Sequence, residues 1–133
     1  MPSVLDACAI IAYLRDEDGA DVVESALIND ECIVHALNMC EVYKDCFARG
    51  DDKQKADQLL LDLQSIGLNS CEEMDEDLWK NAALLKSKYK KVSLADCFAL
   101  SLTSRENGKL LTSDHHELDS LVDKGICEIE FIR

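Results

Sequence analysis

Val4-Leu5-Asp6-Ala7-Cys8-Ala9-Ile10-Ile11 holds one carboxylate in otherwise apolar company. Ser3-Val4-Leu5 is short and apolar enough for a buried strand, and Ala7 to Tyr13 continues as a helix-compatible run. Asp6 therefore falls at a strand-to-helix junction. The same alternation continues along the chain. Asp18 to Asn29 predicts a helix with Val22, Val23, Ala26 and Leu27 on one face, and Cys32-Ile33-Val34-His35 a second strand. Leu37 to Arg49 predicts a helix stopped at Gly50, and Asp52 opens another whose Leu59, Leu60, Leu63 and Ile66 form a stripe ending at Gly67. Leu68 to Cys71 follows as a third strand, with helices over Asp75 to Tyr89 and Ser93 to Glu106, the latter stopped by Asn107-Gly108. Lys109 to Thr112 predicts a fourth strand, Glu117 to Asp123 a short helix, and Ile126 to Ile132 a final strand. Strands separated by helices imply an α/β fold: about five strands in a mainly parallel sheet, helices on both faces, and a single domain over residues 1–133.

The composition agrees with that size and class. The 133 residues include 47% hydrophobic and 31% charged side chains, enough to form a core and too apolar for a disordered acidic chain. No run approaches the length of a membrane span, and Met1-Pro2-Ser3-Val4 lacks a basic signal-like start, so a cytoplasmic protein is expected. Seven cysteines, none in a C-x-x-C pair, are expected to be reduced, buried and apolar in role. A net charge of −13 argues at first against nucleic acid and for a basic protein partner. The charge is unevenly spread, however: Lys80, Lys86, Lys88, Lys90 and Lys91 form a stretch without a single acid, a candidate path for an RNA backbone.

Most of the 27 acids occupy loops and helix starts. Four do not. Besides Asp6, Glu41 stands in Leu37-Asn38-Met39-Cys40-Glu41-Val42-Tyr43, Asp96 in Val92-Ser93-Leu94-Ala95-Asp96-Cys97-Phe98, and Asp114 closes Leu110-Leu111-Thr112-Ser113. A carboxylate in apolar surroundings must be protonated, paired or bound to a cation. Too few Lys or Arg lie nearby for four pairings, so a shared cation is the economical solution. An oxygen-only donor set suits magnesium or manganese better than zinc. Asp6 and Asp114 also follow predicted strands, where ligands of α/β sheets collect.

In order and spacing, Val4-Leu5-Asp6-Ala7-Cys8-Ala9, Asn38-Met39-Cys40-Glu41-Val42, Leu94-Ala95-Asp96-Cys97-Phe98-Ala99 and Leu111-Thr112-Ser113-Asp114 resemble the four acidic motifs of PIN domains, VapC-type toxins most closely. The resemblance implies a five-stranded parallel sheet and a Mg²⁺- or Mn²⁺-dependent ribonuclease leaving 5′-phosphate and 3′-hydroxyl ends. It further implies a homodimer restrained by a small cognate antitoxin. Asp6, Glu41, Asp96 and Asp114 match its metal-binding catalytic acids, and Thr112 a supporting hydroxyl. By this resemblance Asp6, Asp96 and Asp114 bind metal directly while Glu41 holds a water. Two positions depart from the family pattern. Cys8 stands where many members have Ser or Thr, removing a good donor beside Asp6. His116-Glu117 replaces an acid followed by Phe, which puts metal help from that side in question, and Asp119 is a peripheral acid. His115 and His116, next to Asp114, are expected mainly to meet water, His35 to be structural, and Trp79 and Phe98 to lie in the core.

Two other carboxylate-using α/β classes fit less well. A response-regulator receiver needs paired acids after its first strand and an Asp after its third, where Asn69-Ser70-Cys71 stands. A haloacid-dehalogenase phosphatase needs Asp-x-Asp, and Asp6-Ala7-Cys8 is not one. The competing function is a PIN-like interaction module with weak or no nuclease activity.

Overall fold

Five short strands define the molecule, and the three central ones carry apolar side chains toward both faces. The computed structural model describes all residues from Met1 to Arg133. The strands are β1 (Ser3–Leu5), β2 (Cys32–His35), β3 (Leu68–Cys71), β4 (Lys109–Thr112) and β5 (Glu128–Phe131). The helices are α1 (Ala7–Leu14), α2 (Ala20–Asn29), α3 (Ala36–Ala48), α4 (Lys53–Ser65), α5 (Glu76–Lys88), α6 (Leu94–Arg105) and α7 (His115–Leu118), the last running into a 3-10 turn at Asp119–Leu121. The sheet order is β3-β2-β1-β4-β5, and every pairing is parallel. The expected mainly parallel sheet is thus wholly parallel. The chain reverses its direction of winding between β1 and β4, which places a topological switch beside the ends of those two strands.

Side-chain alternation sorts the core into two halves. Leu5, Cys32, Val34 and Leu111 face α1 to α4, joining Ile10, Val23, Val42 and Leu63. Val4, Ile33 and Leu110 face the other way, against Leu78, Ala82, Leu100 and Leu102 of α5 and α6. Burial on both faces explains why β1, β2 and β4 read as apolar runs, whereas the edge strands β3 and β5 keep polar side chains. Helix α6 is buried from Asp96 to Thr103 on all sides, so it shows no polar face and its hydroxyls bond inward. Ser101 donates to Leu78 O at 3.1 Å and Thr103 to Ala99 O at 2.6 Å.

The final strand, expected over Ile126 to Ile132, is shorter at Glu128–Phe131, and two helix starts differ from the sequence reading for identifiable reasons. Helix α2 starts at Ala20 because Gly19 adopts φ +94° and packs where a Cβ would sit 2.7 Å from Ile132 O. Helix α7 begins at His115, earlier than the expected Glu117, because Asp114 caps it. Of the cysteines, Cys32, Cys46 and Cys97 are buried, but Cys40 is exposed, so the expectation of small core thiols holds for only part of the set. Trp79, also expected in the core, is 43% exposed with the Lys80 ammonium 5.9 Å from its ring, whereas Phe98 is buried against His35. No helix is long and apolar enough to cross a membrane.

Candidate metal centre

Three strand-to-helix or loop-to-helix junctions and the second turn of α3 meet at the β1/β4 switch, and each contributes an acid. Asp6 leaves β1 as the N-cap of α1, its Oδ1 accepting from Ala9 N–H at 3.0 Å. Its whole side chain is buried, and Oδ2 has no hydrogen-bond partner. Asp114 follows β4 and caps α7, accepting from Glu117 N–H at 2.9 Å. Its own N–H donates to Thr112 Oγ1 at 3.0 Å, which explains why a buried threonine ends that strand. Asp96 occupies the first turn of α6, where its N–H donates to the capping Ser93 Oγ at 3.2 Å. Glu41 projects from α3, half-buried, into the same cleft as Asp96 and Asp114.

A fifth acid belongs to the tightest set: Asp96, Asp114 and Glu117 each bring one carboxylate oxygen within 4.8 Å of the others, and neither Asp6 nor Glu41, both expected as ligands, is part of that set. Glu117 also spans to the start of α6, accepting from Ser93 N–H at 2.9 Å. Asp114-His115-His116-Glu117 has the spacing of a capping box, but the Asp114 N–H is taken by Thr112 Oγ1 and the Glu117 carboxylate turns to Ser93 N–H instead.

Asn38 is a second contributor with no role assigned from sequence. It is fully buried; its Oδ1 accepts from Ala7 N–H at 3.3 Å and its Nδ2 donates to Ala95 O at 3.1 Å. One amide on α3 thus fastens the residue after Asp6 to the residue before Asp96, one turn from Glu41. A buried amide between apolar Leu37 and Met39 is the sole trace of this in the sequence.

A PIN-domain sequence model matches residues 3–122. The chain belongs to the PIN domain family. No curated protein matches it in sequence. Among solved structures it is similar to a toxin–antitoxin complex from Klebsiella pneumoniae, at 14% identity, TM-score 0.76 and 98% coverage of both chains. It is also similar to VapBC-1 from nontypeable Haemophilus influenzae, at 17% identity, TM-score 0.73 and coverage of 99% of this chain and 98% of that one. VapBC2 from Rickettsia felis, bound to a DNA fragment from its promoter, gives 14% identity, TM-score 0.72 and 98% coverage of both. At such identities the likeness is one of fold.

In this PIN domain the cluster is electrostatically unsatisfied without a cation. Burial, reinforced by the charge of Asp6 and then those of Glu41 and Asp114, pushes Asp96 up to about 7. Burial followed by the Asp96 and Asp114 carboxylates pushes Glu117 up to about 8. Asp6 rises to about 6 through burial, opposed by the Thr112 hydroxyl, the Cys8 thiol and the Ala9 N–H. Glu41 is raised by burial against the nearby Lys44 ammonium. None of the ion pairs in the molecule involves any of these five acids. A buried carboxylate oxygen without a partner beside three converging carboxylates fits a hard divalent cation.

The departures from the family pattern now have structural meanings. Cys8 does not leave Asp6 without a donor: its thiol donates to Asp6 Oδ1 at 3.0 Å, touches Thr112 Oγ1 at 3.4 Å, and accepts from Ser113 N–H at 3.3 Å. His116 lines the cleft. His115 points elsewhere, stacking on Phe131 at 3.9 Å and bonding to Asp119 and Arg133 O. Asp119, exposed and tied to His115, is outside the three-carboxylate group. His35 is structural: buried, it accepts from Leu37 N–H at 3.1 Å and meets Glu73 O at 2.9 Å.

Proposed function

We propose that this PIN domain is a magnesium- or manganese-dependent ribonuclease of the VapC toxin type, restrained by a small cognate antitoxin. The unpartnered, fully buried Oδ2 of Asp6 carries the proposal, because a carboxylate oxygen in that state is stable only when protonated or bound to a cation. Asp6, Asp96 and Asp114 would hold the ion, Glu117 would add a fourth carboxylate, and Glu41 across the cleft would orient water. When bound, the cation supplies positive charge for the scissile phosphate and lowers the pKa of water. The chain's own residues do the rest. Thr112 fixes the Asp114 backbone, Cys8 fixes one Asp6 oxygen, and Asn38 holds the junctions of α1 and α6 at one spacing.

The fold shared with toxin–antitoxin complexes supports a protein partner, and a net charge of −13 favours a basic one. A homodimer belongs to the same proposal. The test is cleavage of a structured RNA by the purified chain in MgCl₂, MnCl₂ or EDTA, with Asp6→Asn and Asp96→Asn beside it. Cleavage should need metal and fall at least ~100-fold in either variant, the scale of removing one electrostatic contributor. Undiminished cleavage in EDTA or by Asp6→Asn would overturn the assignment. Sedimentation of the chain alone and with a small basic protein encoded beside it tests the assembly.

A further inference from the structure

The metal cleft has a negative floor, so an anionic polymer crossing it needs positive charge at the edges. Of the 14 Lys and Arg residues, eight are committed to carboxylates: Arg15, Arg49, Lys53, Lys55, Lys80, Arg105, Lys109 and Arg133. Lys86 is spent on backbone, its ammonium donating to Lys90 O at 2.9 Å and Val92 O at 2.7 Å. Only Lys44, Lys88, Lys90, Lys91 and Lys124 have no such partner; the first lines the cleft, and the next three precede cleft-lining Ser93 by two to five residues. Lys44 lines one wall, one turn beyond Glu41. Lys88, Lys90 and Lys91 are exposed on the segment that leads into Ser93, which lines the cleft as well.

That segment is held in place. Lys86 staples it from below, Val92 is buried, Val92 N–H donates to Tyr89 O at 3.0 Å, and Ser93 N–H donates to Glu117. Its three lysines therefore stand at a fixed position instead of on a mobile loop. We infer that Lys88, Lys90 and Lys91 on one rim and Lys44 on the other form a phosphate track that draws single-stranded RNA across the metal centre. The inference rests on the proposed ribonuclease function and names the residues that would hold its substrate. A basic protein partner is the wrong occupant for this rim, since it would meet the only cluster of uncompensated cations on a chain of net charge −13. An RNA backbone is the right one, since elsewhere on this surface it meets repulsion.

The experiment is fluorescence anisotropy of an end-labelled single-stranded RNA 20-mer on protein carrying Asp96→Asn to prevent cleavage, in MgCl₂ over a NaCl series. Four phosphate contacts predict a slope of log K against log[salt] of about −2.8, from roughly −0.7 per contact on single strands. Combining Lys88→Glu, Lys90→Glu and Lys91→Glu should weaken binding at least ~10-fold and flatten the slope by about 2; Lys44→Glu should flatten it by about 0.7. Lys124→Glu, the same charge change at the one unpaired lysine outside the track, should leave the slope unaltered. Equal effects from Lys124→Glu and Lys90→Glu would overturn the track, as would unchanged RNA affinity in the triple variant, with or without loss of a protein partner. In the otherwise unaltered chain, the triple variant should lose RNA cleavage while Lys124→Glu keeps it within about twofold. Absence of RNA cleavage in the parent chain would count against the ribonuclease reading alone, because the slopes still decide the track.

Discussion

Replacing Asp96 by Asn should make the metal-free protein more stable at alkaline pH while depriving it of its response to magnesium. Asp96 is 7% exposed, and burial beside Asp6, Glu41 and Asp114 raises its pKa from 3.8 to about 7. That rise corresponds to about 4 kcal/mol of disfavoured ionisation in the folded state. Asn has nearly the same shape and keeps the backbone N–H bonded to Ser93, but gives up a negative charge in the first turn of α6, worth ~0.3–1 kcal/mol. The net gain is about 3 kcal/mol. Its sign with pH follows from linkage: a carboxyl whose pKa is higher folded than unfolded stabilises the fold below the unfolded value, and that contribution is lost as pH rises through the folded one. The wild-type chain should therefore fall behind the variant progressively from about pH 4, with the gap complete once pH passes about 7. For 133 residues an unfolding entropy of ~2.1 cal/mol/K per residue converts 3 kcal/mol into about 10 °C of Tm. Thermal unfolding in EDTA at pH 5 and pH 8.5, with and without MgCl₂, measures it. Magnesium at ~100 times its Kd should restore about 2.7 kcal/mol to the wild type and much less to the variant. A variant that melts at or below the wild type in EDTA at pH 8.5 would refute the origin assigned to the raised pKa.

Asn38→Ala strands a buried N–H at Ala7 and a buried carbonyl at Ala95, so urea unfolding should show a loss of ~2–4 kcal/mol. Asn38→Asp keeps the acceptor for Ala7 but loses the donor to Ala95 and should also shrink the magnesium-induced Tm shift, an effect that a bystander position would not show. Cys8→Ser should preserve the bond to Asp6 and the wild-type pH dependence of stability, whereas Cys8→Ala, lacking the donor, should lose ~1 kcal/mol at pH 8. Burial, then the Asp6 charge, pushes the Cys8 thiol up to about 12, so iodoacetamide at pH 8 should label exposed Cys40 well before Cys8, as read by peptide mass spectrometry. Glu117→Gln should reduce the magnesium-induced Tm shift as clearly as Asp114→Asn; an unchanged shift would remove Glu117 from the ion-binding group.

The alternation of apolar strands with capped helices was legible residue by residue, because both periodicities are local. Asp6, Glu41 and Asp96 stood out for the same reason, each being a charge among mainly apolar neighbours in its own segment, and Asp114 by closing an apolar strand. Their convergence depended on the β1/β4 adjacency, which no local pattern encodes. Glu117 was hidden by its setting in a polar stretch, and only the α7 cap turns it back toward Asp96. Asn38 was hidden because its partners, Ala7 and Ala95, offer backbone groups common to every residue. The departure at Cys8 read as a lost donor, since a thiol is a weak one, yet the packing of Thr112 and Ser113 holds it within reach of Asp6. Sequence alone thus determined the class of fold and the four acids, because burial of charge leaves a mark on composition wherever it occurs. Tertiary structure decided which acids share one site, which lysines remain unneutralised and where they stand, since those properties belong to distances between segments far apart in the chain.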